Sequence, residues 1–240
     1  MRIYMPVITA ILAVALVCTV SIADPYTSVW YTDAPEKHVT NSWIGSTGMY
    51  LTPTARTAPA QAMVSSIHWV NSDPDAMTTL GVNVGITPSL EIGGTRIADG
   101  FGGDQTEVIA NAKYNIDLTR ILEHQDLPEL AVGAWDIGNQ FNRTFYVVLS
   151  KDLAIKEDAD VSNLRFNIGY SEADMNTDNS LDGLFGGIEF VPFEDGLIQL
   201  EYDGGDFNGG LRYYPNEWIS LEVASLDGDA GLGFNVHTGF

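Results

Sequence analysis

The final stretch, residues 229–240, reads DAGLGFNVHTGF and closes on an aromatic residue. Counting back in twos from Phe240 puts Thr238, Val236, Phe234, Leu232 and Ala230 on one side, and Gly239, His237, Asn235, Gly233 and Gly231 on the other. A period of two belongs to a β-strand, whose successive side chains leave opposite faces. A tilted strand of about 9–11 residues crosses a bilayer. The segment therefore has the length and the two-sidedness of a membrane-crossing strand, although the last strand of a secreted β-sandwich would carry the same pattern.

The rest of the chain repeats it. From residue 60 onward, alternating segments of about ten residues are separated by turn residues, as in a barrel sequence. Leu80, Val82, Val84 and Ile86 oppose Thr79, Gly81, Asn83 and Gly85; Leu164, Phe166, Ile168 and Tyr170 oppose Arg165, Asn167, Gly169 and Ser171. The expected strands lie near 60–70, 77–86, 89–97, 105–116, 128–137, 142–151, 162–171, 182–191, 196–203, 206–214, 217–226 and 229–240. Residues 117–127 could form a short helix, and 152–161 read as a charged connector. This predicts an all-β, antiparallel up-and-down transmembrane barrel of about 12 strands, with 10 as the nearest alternative count. Connections with Pro (87–89, 192–196, 215–217) alternate with connections rich in Gly and Asp, and Pro is expected at turn centres because it cannot donate to a ladder. Aromatics near strand ends (Trp69, Tyr114, Trp135, Tyr170, Tyr202, Tyr213, Trp218) read as interfacial girdles. Phe234, Val236 and Phe240 together resemble the C-terminal signal by which barrel-assembly machinery recognises outer-membrane barrels.

The chain opens differently. Arg2, the apolar run of residues 7–20 and the small residues Ser21 and Ala23 read as a signal peptide spanning 1–23. Cys18, the only cysteine, lies within it, so a mature chain has no thiol. Without Arg2, 10 basic residues face 32 acidic ones, a formal charge of −22, which excludes nucleic acid as a partner. Residues 24–58 show no period and are expected to form either a plug or a first strand; 59–240 form the barrel.

Motifs for catalysis are missing. His38, His68, His124 and His237 sit in no recognised pattern, and neither GxSxG nor HExxH occurs. His237 shares the polar face of the last strand with Asn235, which points to a lumen hydrogen bond rather than a general base. The chain is read as non-enzymatic and without a cofactor. Asp174, Asn176, Asp178, Ser180 and Asp182 have the spacing of a calcium loop, but Asn179 stands where Gly is needed and Phe185 where a bidentate Glu is. A solvated acidic loop is the preferred reading, calcium the alternative. The remaining candidates are the polar-face residues Glu91, Glu107, Lys113, Arg165, Glu189, Glu201, Arg212, Glu222 and His237, expected to line a lumen. They would either close it by salt bridges or form a narrow path for a saccharide.

Residues 45–59, GSTGMYLTPTARTAP, contain Thr52-Pro53-Thr54-Ala55-Arg56 ahead of an alternating strand. They resemble the opening of the YjbH-like family of exopolysaccharide-associated outer-membrane β-barrel proteins, which carries a Met-Pro-Thr-Ala-Arg type sequence there. Residues 127–138 and 206–224 also resemble the family's strand-turn-strand phrases. The resemblance implies a bacterial outer-membrane location, contact with lipid and with polysaccharide or export components, and a role in exopolysaccharide secretion or biosynthesis. It implies no catalytic residues. The alternative is a secreted or periplasmic β-sandwich that binds carbohydrate or a surface partner.

Overall fold

The computed structural model describes residues 39–71, 76–99, 106–122, 127–140, 142–153, 163–174, 181–193 and 195–239. The signal-peptide reading, residues 24–38 and Phe240 lie outside them. Twelve strands follow one another: β1 (Met63–Asn71), β2 (Met77–Thr87), β3 (Leu90–Asp99), β4 (Thr106–Ile116), β5 (Glu129–Trp135), β6 (Thr144–Leu153), β7 (Asn163–Ala173), β8 (Gly183–Phe193), β9 (Gly196–Tyr202), β10 (Phe207–Asn216), β11 (Ile219–Leu226) and β12 (Asp229–Thr238). Each pairs antiparallel with its sequence neighbours, and β1 pairs with β12 from Met63 opposite Thr238 to Asn71 opposite Ala230, closing the barrel. Closure leaves no free edge strand, the condition for crossing lipid with strands. It excludes the two-sheet sandwich. A short helix, α1 (Leu118–Leu122), follows β4.

Alternation decides which side chains see which medium. On β11, Ser220, Glu222, Ala224 and Leu226 are buried while Leu221 and Val223 are exposed. The exposed set on other strands is equally apolar, including Leu80, Val82, Val108, Phe166, Leu200, Leu211 and Leu232. Among the described strand residues, the outward face carries charge only at Arg96, Lys151 and Glu172, each within three residues of a strand end. Charge is therefore kept from the middle of the outer wall, where lipid would tax it most.

Two expectations need correction. Pro192 and Pro215 lie inside β8 and β10, not at turn centres. The ladder slips register beside each of them, between Phe190 and Phe193 and between Tyr213 and Asn216, and again between Gly85 and Thr87 ahead of Pro88. A bulge absorbs the missing amide, so the strand runs on past the proline. Trp135 is also not an interfacial aromatic: the register of β5 turns it inward, where it is buried. Tyr114, Tyr213 and Trp218 are exposed near the rim that holds the start of β1, in keeping with girdle positions.

Candidate functional site: the occupied lumen

A barrel of eight strands fills itself with side chains, whereas sixteen or more leave a water channel. Twelve strands enclose an intermediate space, and the chain fills it with residues 39–58. Trp43, Met49, Tyr50, Ala55 and Ala58 of this segment are fully buried, as are Thr40, Asn41, Ser46 and Thr52. The segment has little regular structure: isolated bridges join Asn41 to Thr47 and Gly48 to Pro53. Its backbone groups therefore need partners elsewhere, since an unpaired buried amide is costly.

Two inward glutamates, Glu91 and Glu201, accept backbone amides of the segment, and a third, Glu222, accepts a side-chain donor from it. Glu91 Oε1 accepts from Thr47 N (2.9 Å), and Glu91 Oε2 from Thr47 Oγ1 (2.6 Å) and Ala58 N (2.7 Å). Glu201 Oε1 accepts from Leu51 N (2.7 Å), and its Oε2 from Thr52 N (3.2 Å) and Thr52 Oγ1 (2.7 Å). Glu222 Oε2 accepts from the Trp43 indole (2.7 Å), while its Oε1 takes Asn235 Nδ2 (2.6 Å) and the Arg212 guanidinium (2.8 Å). Such charge-assisted bonds are the strong class. A carboxylate with several donors is a stable way to bury charge; one without them is not.

The cations complete the lacing. Lys113 Nζ donates to Thr47 O (2.6 Å) and Thr47 Oγ1 (2.5 Å) and lies 3.8 Å from Glu91. The Arg212 guanidinium sits over the Tyr50 ring, 5.6 Å from its centroid. Burial pushes the Tyr50 phenol far above its ordinary range, so this ring stays neutral. Arg165 pairs with Glu189 (3.3 Å) and Asp152 (2.6 Å), and Glu189 also accepts from Asn167 Nδ2 and Gln199 Nε2. Uncharged contacts add to these: Trp43 stacks on His68 at 4.9 Å, and Trp135 Nε1 donates to Ser46 Oγ, which also meets Tyr146 Oη at 3.0 Å.

Close approach requires gaps in the wall. A Cβ on Gly231 would sit 2.2 Å from the Trp43 ring, and one on Gly187 2.6 Å from Met49 Cε. Inward glycines in mid-strand are the sequence mark of something packed against the wall. They were the available signal for a plug, together with the Ser, Thr and Asn density of residues 40–47, whose hydroxyls and amides require partners.

Of the sequence candidates, Glu91, Lys113, Glu189, Glu201, Arg212, Glu222 and His237 are buried on the inner face, with Arg165 half-buried at its end. His237 Nε2 lies 3.2 Å from Ser220 Oγ. Glu107 differs: it has the inward parity of β4 but is exposed, because it stands next to the first residue of that strand. Thr52-Pro53-Thr54-Ala55-Arg56 belongs to the lumen segment. Thr52 is held by Glu201, Ala55 N donates to Ser150 Oγ (2.8 Å), and Ala55 O accepts from Asn115 Nδ2 (2.8 Å). Arg56 closes the segment by pairing with Asp152 and Glu129. Burial, then the neighbouring Arg165, hold the Arg56 guanidinium below its ordinary value, while Asp152 and Glu129 oppose that shift. Of the loop read as a calcium alternative, Asn176, Asp178 and Ser180 lie outside the described residues. Asp174 pairs with Arg143 (2.8 Å), and Asp182 accepts from Ala173 N (3.2 Å).

A closed antiparallel barrel, oily outside, charged inside and filled by its own N-terminal segment, defines a plugged β-barrel of the outer-membrane type. The chain belongs to the YjbH family, described as "Exopolysaccharide biosynthesis protein YbjH", whose model matches residues 40–240. That match takes in the lumen segment and the barrel together. No individually curated protein matches the sequence. Among solved structures the chain is similar to the KdgM porin, at 13% identity over 75% of this chain and 99% of that one, with a TM-score of 0.47. It is similar to the NanC porin at 13% identity over 73% and 97%, with a TM-score of 0.45. OprB of Pseudomonas putida follows at 13% identity over 69% and 60%, with a TM-score of 0.31.

Proposed function

We propose that this protein sits in the bacterial outer membrane, delivered there by the barrel-assembly machinery, and acts without catalysis in exopolysaccharide secretion or biosynthesis. In this reading residues 39–58 occlude the lumen at rest and are displaced when the barrel works. Family membership supports the exopolysaccharide link. The observation that carries the location is the inverted burial of the strands, with Leu221 and Val223 exposed on either side of a buried Glu222. An exposed belt of that extent needs an apolar medium. The three-glutamate attachment supports occlusion, since every contact is a hydrogen bond or ion pair that can be remade with another ligand.

Cell fractionation followed by a gel run with boiled and unboiled samples tests this. A band in the outer-membrane fraction that shifts on boiling is the expected result. A soluble periplasmic band with no shift would overturn the reading.

A further inference from the structure

Beside its backbone amides and the Trp43 indole, the plug meets the wall through three hydroxyls. Thr47 Oγ1 lies between a wall donor and a wall acceptor, Lys113 Nζ at 2.5 Å and Glu91 Oε2 at 2.6 Å. Thr52 Oγ1 donates to Glu201. Ser46 Oγ lies between Trp135 Nε1 and Tyr146 Oη. A hydroxyl held between an ammonium and a carboxylate, and another against two aromatic rings, reproduces what a sugar hydroxyl asks of a protein: one acceptor, one donor and an apolar ring face nearby.

The charges left behind by the plug narrow the ligand. Lys113, Arg165 and Arg212 each face a wall carboxylate, respectively Glu91, Glu189 and Glu222. Glu201 has no such cation among the described residues; its donors all come from Leu51 and Thr52. With the plug out, the wall keeps these three pairs, Glu201 loses all its donors, and Glu129 and Asp152 lose Arg56, so the emptied lumen is acidic in excess.

We propose that the inner wall of the barrel is a binding path for an uncharged, hydroxyl-rich oligosaccharide, that residues 46–52 occupy this path as an internal mimic, and that Glu201 turns away polyanionic glycans. This rests on the reading of a displaceable plug. Sugar and plug are then mutually exclusive ligands of the same wall groups. An oligosaccharide that binds only the plug-out state raises the population of that state by mass action.

The test uses the full chain in detergent micelles and follows trypsin cleavage after Arg56 by mass spectrometry, with a neutral glucan hexamer or a galacturonate hexamer as the probe. At a neutral-hexamer concentration about ten times its dissociation constant for the open lumen, cleavage is expected about tenfold faster than without sugar. The galacturonate hexamer should leave the rate unchanged. Faster cleavage with galacturonate than with the neutral sugar, or no response to either, overturns the proposal. Glu201→Gln, checked for folding by its heat shift on a gel, should narrow the gap between the two probes, and an unchanged gap would also overturn it. Neither readout depends on where the protein resides, so a soluble fraction in the cell would sink the proposed function while leaving this result to stand or fall by itself.

Discussion

The two faces of β11 are neighbours in sequence and opposites in chemistry. Leu221 and Val223 stand exposed at 44% and 59%, while Glu222 between them is 2% exposed and surrounded by Trp43, Arg212, His68 and Asn235. In a water-soluble sheet the arrangement would be reversed, with the aliphatic side packed and the carboxylate solvated. The comparison teaches that the outer face is specified mainly by what is absent from it, charge, whereas the inner face is specified by partners. An outward leucine can become another apolar residue at little cost. An inward glutamate is fixed by three or four named groups.

The sharpest way to break this contrast is to empty an inner site. Glu222→Ala leaves Arg212 buried without its carboxylate and frees the Trp43 indole. Removing one partner of a buried pair costs about 3–5 kcal/mol, so the urea midpoint of the micelle-bound protein should drop by a large, easily measured amount. Breaking the outer face comes next. Val223→Arg puts a cation in mid-strand facing lipid, at a cost of about 2–4 kcal/mol, and should lower the yield of heat-shifted barrel; Val223→Leu should not. Gly231→Val probes the junction of wall and plug. Its side chain would enter the space of the Trp43 ring, an overpacking worth about 1–3 kcal/mol, which should appear as faster cleavage after Arg56 in an intact barrel. The smallest effect is expected for Trp135→Phe, which keeps an aromatic ring at this position and removes the indole bond to Ser46. A loss of about 0.5–1.5 kcal/mol is expected, read as a small shift in the same cleavage rate.

The barrel itself was legible from the chain because a strand period is local. Each ten-residue window states its two faces without reference to any other, and the twelve windows match the twelve strands to within a few residues. Structure and sequence part where a local rule meets a tertiary one. Proline reads as a turn residue because it cannot donate, yet at Pro192 and Pro215 a bulge lets the strand continue. Trp135 sits at a strand end like the girdle aromatics, but the pairing of Gly133 with Tyr146 sets its parity inward. Glu91, Glu201, Glu222, Arg212 and Lys113 could be placed on the inner face by alternation alone. Their partners could not, because residues 39–58 have no period and take their shape from groups up to 179 residues away, as Trp43 does from Glu222.

The most direct measurement is quenching of single-tryptophan proteins in vesicles whose lipids carry brominated acyl chains. One variant keeps Trp69, on the outward side of β1, and the other keeps Trp43, in the lumen, with the other tryptophans changed to phenylalanine. A membrane barrel filled by its N-terminal segment predicts strong quenching of Trp69 and little of Trp43. Equal quenching of both, or an unquenched Trp69 that aqueous iodide reaches instead, would contradict it.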